Sequence, residues 1–208
     1  MDESRAQTGG IIKAMKLKLA VLALALGAAT ALSAQTTTYK IDPLHSEADF
    51  SIVHMAISRV HGQFSNITGT IALDQKDMSH SSVDATIPVS TINTGVALRD
   101  EHLRGNDFFE SAKYPTMVFK STSVTADPEG YKVVGNLTLH GVTKPVTLQM
   151  DPLGPTIELR GQEHRGFQAT TSLDRRDFGL RWNGLLPNGD AMIGDKVQIT
   201  LSIEAVKQ

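Results

Sequence analysis

The stretch Val197-Gln-Ile-Thr-Leu-Ser-Ile-Glu-Ala205 decides the fold class, because its apolar and polar residues alternate without a break. Successive side chains of an extended strand point to opposite faces, so this period of two predicts a strand with one buried and one solvated face. The same alternation recurs in Val83–Val89, Tyr131–Leu139, Phe167–Leu173 and Ala48–Ile52. Counted along the chain, it predicts eight or nine strands, and therefore an antiparallel sandwich or barrel.

A charged segment interrupts the strands at Leu98-Arg-Asp-Glu-His-Leu-Arg-Gly-Asn-Asp-Phe-Phe109. We expect Gly105 to end a short helix at Arg104, since glycine adopts the left-handed conformation without strain. The D-x-x-E spacing of Asp107 and Glu110 predicts the capped start of a second turn. A charged helix beside two phenylalanines is typical of a barrel mouth. The alternative is a solvated crossover helix anchored in the core by its phenylalanines.

The N-terminal segment has the pattern of a secretory signal peptide. Lys16 and Lys18 precede the apolar run Leu19–Ala29, and small residues follow it. The run has about 11 residues, which is too short for the roughly 20 that span a bilayer as a helix. We expect translation to start at Met15 and cleavage to occur before Ala34, because the first 14 residues do not resemble a signal peptide.

Composition narrows the classes of function. Removing the extension and signal peptide, 1–33, leaves one domain, 34–208, with a net charge near −4. Such a chain lacks the basic patch that nucleic acid or an anionic membrane surface requires. The sequence has no cysteine, which excludes disulfides, thiolate metal sites and a lipidated cysteine. We therefore expect a soluble periplasmic or secreted protein with no membrane span and no nucleic-acid partner, and leave open a homodimer.

Seven histidines invite a metal or catalytic interpretation. None has H-x-H or H-E-x-x-H spacing, so we expect no metal site and no cofactor. His54 lies on the apolar face of a predicted strand, where a hydrogen-bonded core histidine is the usual finding. A general base at His102 with Asp100, or at His54 with His45, would make the protein a hydrolase, and this is one alternative function.

Two further segments have two interpretations each. Arg175-Arg-Asp-Phe-Gly179 predicts either a strand-end turn with a buried phenylalanine and a glycine at positive φ, or an arginine pair that meets a polar or anionic head group at the mouth. Trp182, the only tryptophan, lies in the glycine-rich loop Leu180–Asp195. It would serve there as a lid over a pocket or as an apolar plug.

Four positions on the predicted inward faces are small, namely Gly69, Ala85, Gly135 and Ala169. Small inward residues leave volume for a ligand, but they also accommodate large neighbours such as Phe119. Alternation alone does not separate a cavity from a filled barrel. A filled barrel acting through its outer surface as a protein-interaction module is therefore the second alternative function.

Four ordered blocks of residues resemble the YceI-like family, from about Thr36 to Val206. The blocks are Asp42-x-x-His45-Ser46 with Phe50, His54, Val60, Gly62 and Phe64; Arg99-Asp100-x-His102-Leu103 with Asp107-Phe108-Phe109; Gly135-x-Leu137-Thr138 with Gly141-Val142-Thr143-x-Pro145-Val146; and Gly166-Phe167 with Arg175 and Asp177-Phe178-Gly179. The resemblance implies an all-β, lipocalin-like barrel of eight antiparallel strands with a short helical segment near 95–112. It further implies that the barrel binds a polyisoprenoid or other long-chain amphiphilic lipid, which it sequesters or carries without catalysis.

The predicted ligand-binding residues are apolar or aromatic side chains of the cavity together with polar side chains of its mouth. They are Phe50, Ile52, His54, Phe64, Arg99, His102, Leu103, Phe108, Phe109, Phe119, Leu137, Phe167, Arg175, Phe178 and Trp182.

Export generates the first testable prediction. Native protein is expected to be soluble in the periplasm and to begin at, or within a few residues of, Ala34, because the signal-peptide pattern ends there. Intact-mass measurement of the native protein checks this start. A mature chain that retains Leu19–Ala29 would show the interpretation to be wrong.

Overall fold

The computed structural model describes residues 36–208, so the predicted extension and signal peptide lie outside the described residues. The described chain contains eleven strands and one α-helix. The strands are β1 (Thr37–Ile41), β2 (Glu47–His54), β3 (Ser58–Phe64), β4 (Thr68–Leu73), β5 (Ser82–Pro88), β6 (Thr116–Asp127), β7 (Gly130–Leu139), β8 (Val142–Met150), β9 (Thr156–Leu159), β10 (Gln162–Asp174) and β11 (Ile193–Lys207). The helix α1 spans Ala97–Arg104, within the predicted helical segment. In residues 36–208, no helix has the length and apolar character needed to cross a membrane.

Eight strands close into an antiparallel barrel in the order β11-β1-β4-β5-β6-β7-β8-β10, with β10 pairing back to β11. The closing strand, β11, is 15 residues long. One edge of it pairs with β10, and the other pairs first with β2 and then with β1. The hairpin β2–β3 and the short β9 extend the sheet beside the closed ring. The predicted eight-stranded antiparallel barrel is confirmed.

The alternating apolar and polar residues of β11 face the inside and the outside of the barrel wall, respectively. Val197, Ile199, Leu201 and Ile203 all line the interior. The outward residues between them are polar, so each strand buries one face and hydrates the other. Phe167 of the neighbouring strand β10 pairs with Ile203 and also points inward.

The two ends of the barrel differ. The connection from β5 to β6, which contains α1, shares one end with loop 175–192 between β10 and β11, and we call this the helix end. The opposite end, the base, is closed by polar contacts. Tyr39 is fully buried there and its hydroxyl donates to Glu163 Oε1. Buried Arg165 donates to the Gly154 carbonyl at 3.1 Å and to Gln75 Oε1 at 3.3 Å.

The helix ends where the sequence predicts, but by another geometry. Gly105 has φ −75° and ψ −178°, which is extended and not left-handed. Its N–H donates to the carbonyl of His102, a tighter bond that ends the helix without a left-handed residue. The predicted cap at Asp107 is also wrong. A turn follows the helix, but the Asp107 carboxylate lies 2.9 Å from His102 Nε2.

Three features of the strands differ from what local sequence rules favour. The alternating run from Phe64 to Leu73 is divided between β3 and β4. The tight turn between β2 and β3 is formed by Met55 and Ala56 at φ 53° and 59°, where sequence rules expect asparagine or glycine. Pro88 cannot donate a ladder hydrogen bond, which favours a sheet edge or a bulge, yet it is the last residue of β5, a strand paired on both sides.

Two of the small inward residues accommodate neighbours. A Cβ at Gly135 would lie 2.4 Å from Phe119 Cζ and 2.6 Å from the Lys120 carbonyl oxygen. Gly69 has φ 147°, and a Cβ there would lie 2.0 Å from a backbone oxygen of Asp84. These glycines let the sheet and its aromatic side chains approach closely. Alternation thus places them correctly, but they contribute no free volume.

The close approach at Gly135 generates the second prediction. Gly135→Ala is expected to lower the free energy of unfolding by about 1–3 kcal/mol, because the added methyl overlaps the Phe119 ring and backbone. The matched control is Gly166→Ala on β10, where a Cβ meets no heavy atom of the described chain within 4 Å. Denaturant midpoints measure both changes. Equal midpoints for the two variants would contradict the packing argument.

Candidate ligand cavity

The barrel encloses a cavity of about 410 Å³. This size lies within the range of roughly 300–1,000 Å³ that small-molecule sites occupy. The polar residues on its wall are few compared with the apolar ones: Asp49, His54, Ser81, Ser82, Arg99, His102, Thr171 and Arg175. Such a wall favours a largely apolar ligand.

All fifteen residues predicted from the sequence line this cavity. Their part in binding a ligand stays a prediction. Four methionines outside the predicted set also line the cavity, Met78, Met117, Met150 and Met192. Met117 and Met150 could have been included, since both continue alternating inward faces. Met78 and Met192 lie outside the strands, so no periodic signal marked them. Methionine side chains are flexible and adapt to irregular apolar ligands.

An aromatic cluster joins α1 to the loop of Trp182 at the helix end. The His102 ring meets Phe108 and Trp182 edge-on, at centroid distances of 5.0 and 5.1 Å. Phe108 and Trp182 are themselves 5.1 Å apart. Because the His102 side chain is 45% exposed and also lines the cavity, the cavity reaches the surface here. Trp182 is therefore part of the wall at the mouth, and the mouth interpretation of the charged segment fits the structure.

A second aromatic run continues inward from the mouth. Phe109 packs edge-on against Phe64 at 5.6 Å, and Phe64 lies 5.7 Å from Phe50. These contacts connect the turn after α1 to β3 and β2. Phe109, one of the two phenylalanines that follow the helix, thus fixes the helix on the barrel.

The pair of His102 and Asp100 does not form. Buried Asp100 accepts hydrogen bonds from the Thr94 N–H at 2.8 Å and the Thr94 hydroxyl at 2.6 Å. His102 contacts Asp107 instead. The physical reason is helix geometry, since residues two apart do not face each other. The pairing of His102 with Asp100, on which this hydrolase alternative depended, is therefore absent from the structure.

The second histidine pair is separated by the length of a strand. His45 precedes β2, and its Nδ1 lies 2.8 Å from Asp42 Oδ2. His54 ends β2 and lines the cavity. At about 3.3 Å per residue, the extended strand puts roughly 23 Å between its two ends. The two histidines therefore do not form one site.

Arg175 lines the cavity but uses its guanidinium to hold the loops of the helix end. Its Nε donates to the Gly194 carbonyl at 2.9 Å, and its Nη1 donates to the carbonyls of Leu180 and Trp182, both at 2.8 Å. Nη2 contacts Asp195 at 3.3 Å. Burial lowers the pKa of the Arg175 guanidinium, and Asp195 opposes this shift. These contacts leave little of the guanidinium for a head group.

The turn interpretation of the same corner fits the structure. Phe178 is 2% exposed, and Gly179 has φ 79°. On the outside, Arg176 pairs with Asp174 at 2.8 Å and with Asp195 at 3.1 Å. The side-chain and backbone hydrogen bonds from Arg176 lower the pKa of the Asp174 carboxyl to about 2. The corner is therefore a charged, internally satisfied structural element.

The corner generates the third prediction. Arg175→Lys is expected to lower the free energy of unfolding by about 2–4 kcal/mol, because one ammonium cannot replace the donors to three carbonyls and would leave buried oxygens unpaired. Arg176→Lys is the control, since the Arg176 side chain is 54% exposed and its ion pairs lie at the surface. Thermal or denaturant unfolding measures both. Similar losses in the two variants would contradict a structural role for Arg175.

Sequence comparison finds a matching family and relatives of the chain. The family model of the YceI-like domain matches residues 39–205 of this chain. A UPF0312 protein of Pseudomonas paraeruginosa is 38% identical over 196 residues, which cover 92% of this chain and 100% of the relative.

Solved structures are similar in fold. The YCEI protein of Campylobacter jejuni has a TM-score of 0.62 and 29% identity, and the match covers 75% of this chain and 90% of that one. A polyisoprenoid binding domain from Saccharophagus degradans has a TM-score of 0.55 and 16% identity, covering 83% of this chain and 99% of that one. At that identity the second likeness concerns the fold alone.

Proposed function

The chain belongs to the YceI-like domain family, and from that premise we propose that it binds a polyisoprenoid or related long-chain amphiphilic lipid inside the barrel and sequesters or carries it without catalysis. The observation that carries the proposal is the cavity, with its long apolar wall and its mouth at the charged helix end. A structural neighbour with the same fold is a polyisoprenoid binding domain, which supports this class of ligand.

The wall fits an amphiphile with its tail inward. Toward the base the lining is mostly apolar, with Val124, Val133 and Met150 among its residues and Ser81 and Ser82 as the polar exceptions. At the mouth, Arg99 is held by hydrogen bonds from its Nε to the Thr94 hydroxyl at 2.7 Å and from its Nη2 to the Thr94 carbonyl at 2.9 Å. The ligand's polar head therefore lies beside Arg99, and its tail runs toward the base.

The length of the ligand's hydrocarbon chain sets its affinity for the protein. Large ligands gain about 0.3 kcal/mol per heavy atom in contact with protein. About 20 contacting atoms would then give about 6 kcal/mol, and about 40 would give about 12 kcal/mol, the nanomolar range. The affinity for an isoprenoid thus rises with the number of its atoms that contact the wall, and no charged catalytic group is needed.

Two observations favour this function over its alternatives. Neither predicted histidine pair forms, which removes the residues on which the hydrolase alternative rested. The barrel holds a cavity, whereas a protein-interaction module acting only through its outer surface needs none. We further propose that the lipid-binding domain is 34–208 and that it works in the periplasm after export.

The direct experiment is mass spectrometry of an organic extract of freshly purified native protein. A stoichiometric isoprenoid or other long-chain amphiphile is the expected result. Protein that carries no lipid and fails to bind isoprenoid probes at micromolar concentration would refute the proposal.

Cavity filling generates the fourth prediction. Ala169 lies on the cavity wall, so Ala169→Trp is expected to reduce the affinity for a fluorescent isoprenoid probe at least 10-fold by occupying the ligand volume. Its neighbour Thr170 is exposed on the same strand, and Thr170→Trp is the matched control. Ala85→Trp provides a second test from β5.

The denaturant midpoint separates a cavity from a packed core. In a cavity, the Ala169→Trp and Ala85→Trp variants keep most of their stability, whereas overpacking of a filled interior costs about 1–3 kcal/mol or more. Strong destabilisation of both variants, with normal probe binding by the folded fraction, would favour the filled barrel.

A further inference from the structure

We propose that the outer wall of the barrel carries a binding site for a divalent transition-metal ion of the zinc class, formed by Asp42, His45 and Glu204. One potential ligand atom from each of these side chains lies within 4.8 Å of the other two. Asp42 and His45 belong to the turn between β1 and β2, and Glu204 belongs to β11. The turn crosses β11 where its pairing passes from β2 to β1.

Backbone and hydroxyl contacts hold the turn against Glu204. The Asp42 N–H donates to the Glu204 carbonyl at 2.8 Å. The Ser46 hydroxyl donates to the same carbonyl and accepts from the Glu204 N–H, both at 3.1 Å. Ser46 is buried. The three potential ligands are thus brought together by the barrel itself, which lowers the entropic cost of binding an ion.

The carboxylates are oriented for a shared ion. Asp42 Oδ1 accepts from the Leu44 N–H at 2.9 Å, and Oδ2 faces His45 Nδ1 at 2.8 Å. His164 Nδ1 lies 2.8 Å from Glu204 Oε1. His164 therefore orients Glu204 in the way that outer-shell partners orient metal ligands, and it supplies a second imidazole at the site.

The donor set selects the class of ion. Imidazole nitrogen combined with carboxylate oxygen suits Zn²⁺ and similar transition ions, whereas Ca²⁺ and Mg²⁺ prefer oxygen ligands alone. Zinc bonds of about 2.0–2.2 Å require the ligand atoms to approach one another by roughly 1 Å from their widest spacing. The His45 side chain is 62% exposed and has room for this movement.

The site is separate from the lipid cavity. Along β11, Ile203 lines the cavity and Ala205 is fully buried, so Glu204 between them points outward. Metal binding at this site is therefore independent of the proposed lipid function, and either can fail without the other.

Calorimetric titration of the purified, untagged full protein with Zn²⁺ tests the proposal. One ion per chain is expected, with a Kd below about 10 µM and no competition from millimolar Mg²⁺. His45→Ala and Glu204→Gln are each expected to weaken binding at least 10-fold. His164→Ala is expected to weaken it about 10–100-fold, as loss of an outer-shell partner does. The control is His61→Ala, an exposed histidine on β3, which should bind like the original protein.

Co²⁺ substitution gives a readout that does not depend on the variants folding alike. Tetrahedral coordination by His45, the two carboxylates and one water is expected to produce intense visible absorption that Glu204→Gln reduces. Absence of saturable 1:1 binding would overturn the proposal. So would full affinity in both His45→Ala and Glu204→Gln, or loss of binding in His80→Ala, because His80 lies near Asp74 and Asp77 in a different cluster.

Discussion

Backbone pairing along β11 is the interaction on which the rest of the structure depends. This strand accepts β10 on one side and both β1 and β2 on the other, and so closes the ring of eight strands. Closure removes the unpaired edges that an open sheet of these eight strands would expose. Closure also directs the alternating apolar and polar residues to two different places, the interior of the barrel and its outer surface. Both the cavity and the outer cluster at Glu204 follow from that division.

The interior combines close packing with free volume, and the two are unevenly distributed. Gly135 admits the Phe119 ring against the wall, whereas Ala169 borders open space. Two small residues at equivalent inward positions therefore have opposite roles: one admits a neighbouring ring, and the other leaves free volume. At the helix end, rings packed around Trp182 and the buried guanidinium of Arg175 hold the loops in place around the mouth. A rigid mouth preserves a preformed cavity, which reduces the ordering cost of binding a ligand.

Several details were predictable because their causes are local. The inward faces of the strands and the turn at Gly179 follow from periodicity and backbone preference. Other details were missed because tertiary contacts overrode local preference. Met55 and Ala56 take left-handed conformations to complete a hairpin that pairs with β11. Gly105 is extended, and the chain then turns to place Phe108 in the aromatic cluster and Phe109 against Phe64.

By itself, the sequence determined the all-β class and the side chains that face inward, because alternation is a property of neighbouring residues. The choice of an eight-stranded barrel over a sandwich came from the resemblance to the YceI-like family. Only the tertiary structure decided which polar groups meet. His102 contacts Asp107 rather than Asp100, and Asp42 and His45 meet Glu204 from a strand more than 150 residues away. Such pairings depend on strand register and loop paths across the closed barrel. No local pattern encodes the distance between residues that are far apart in the chain.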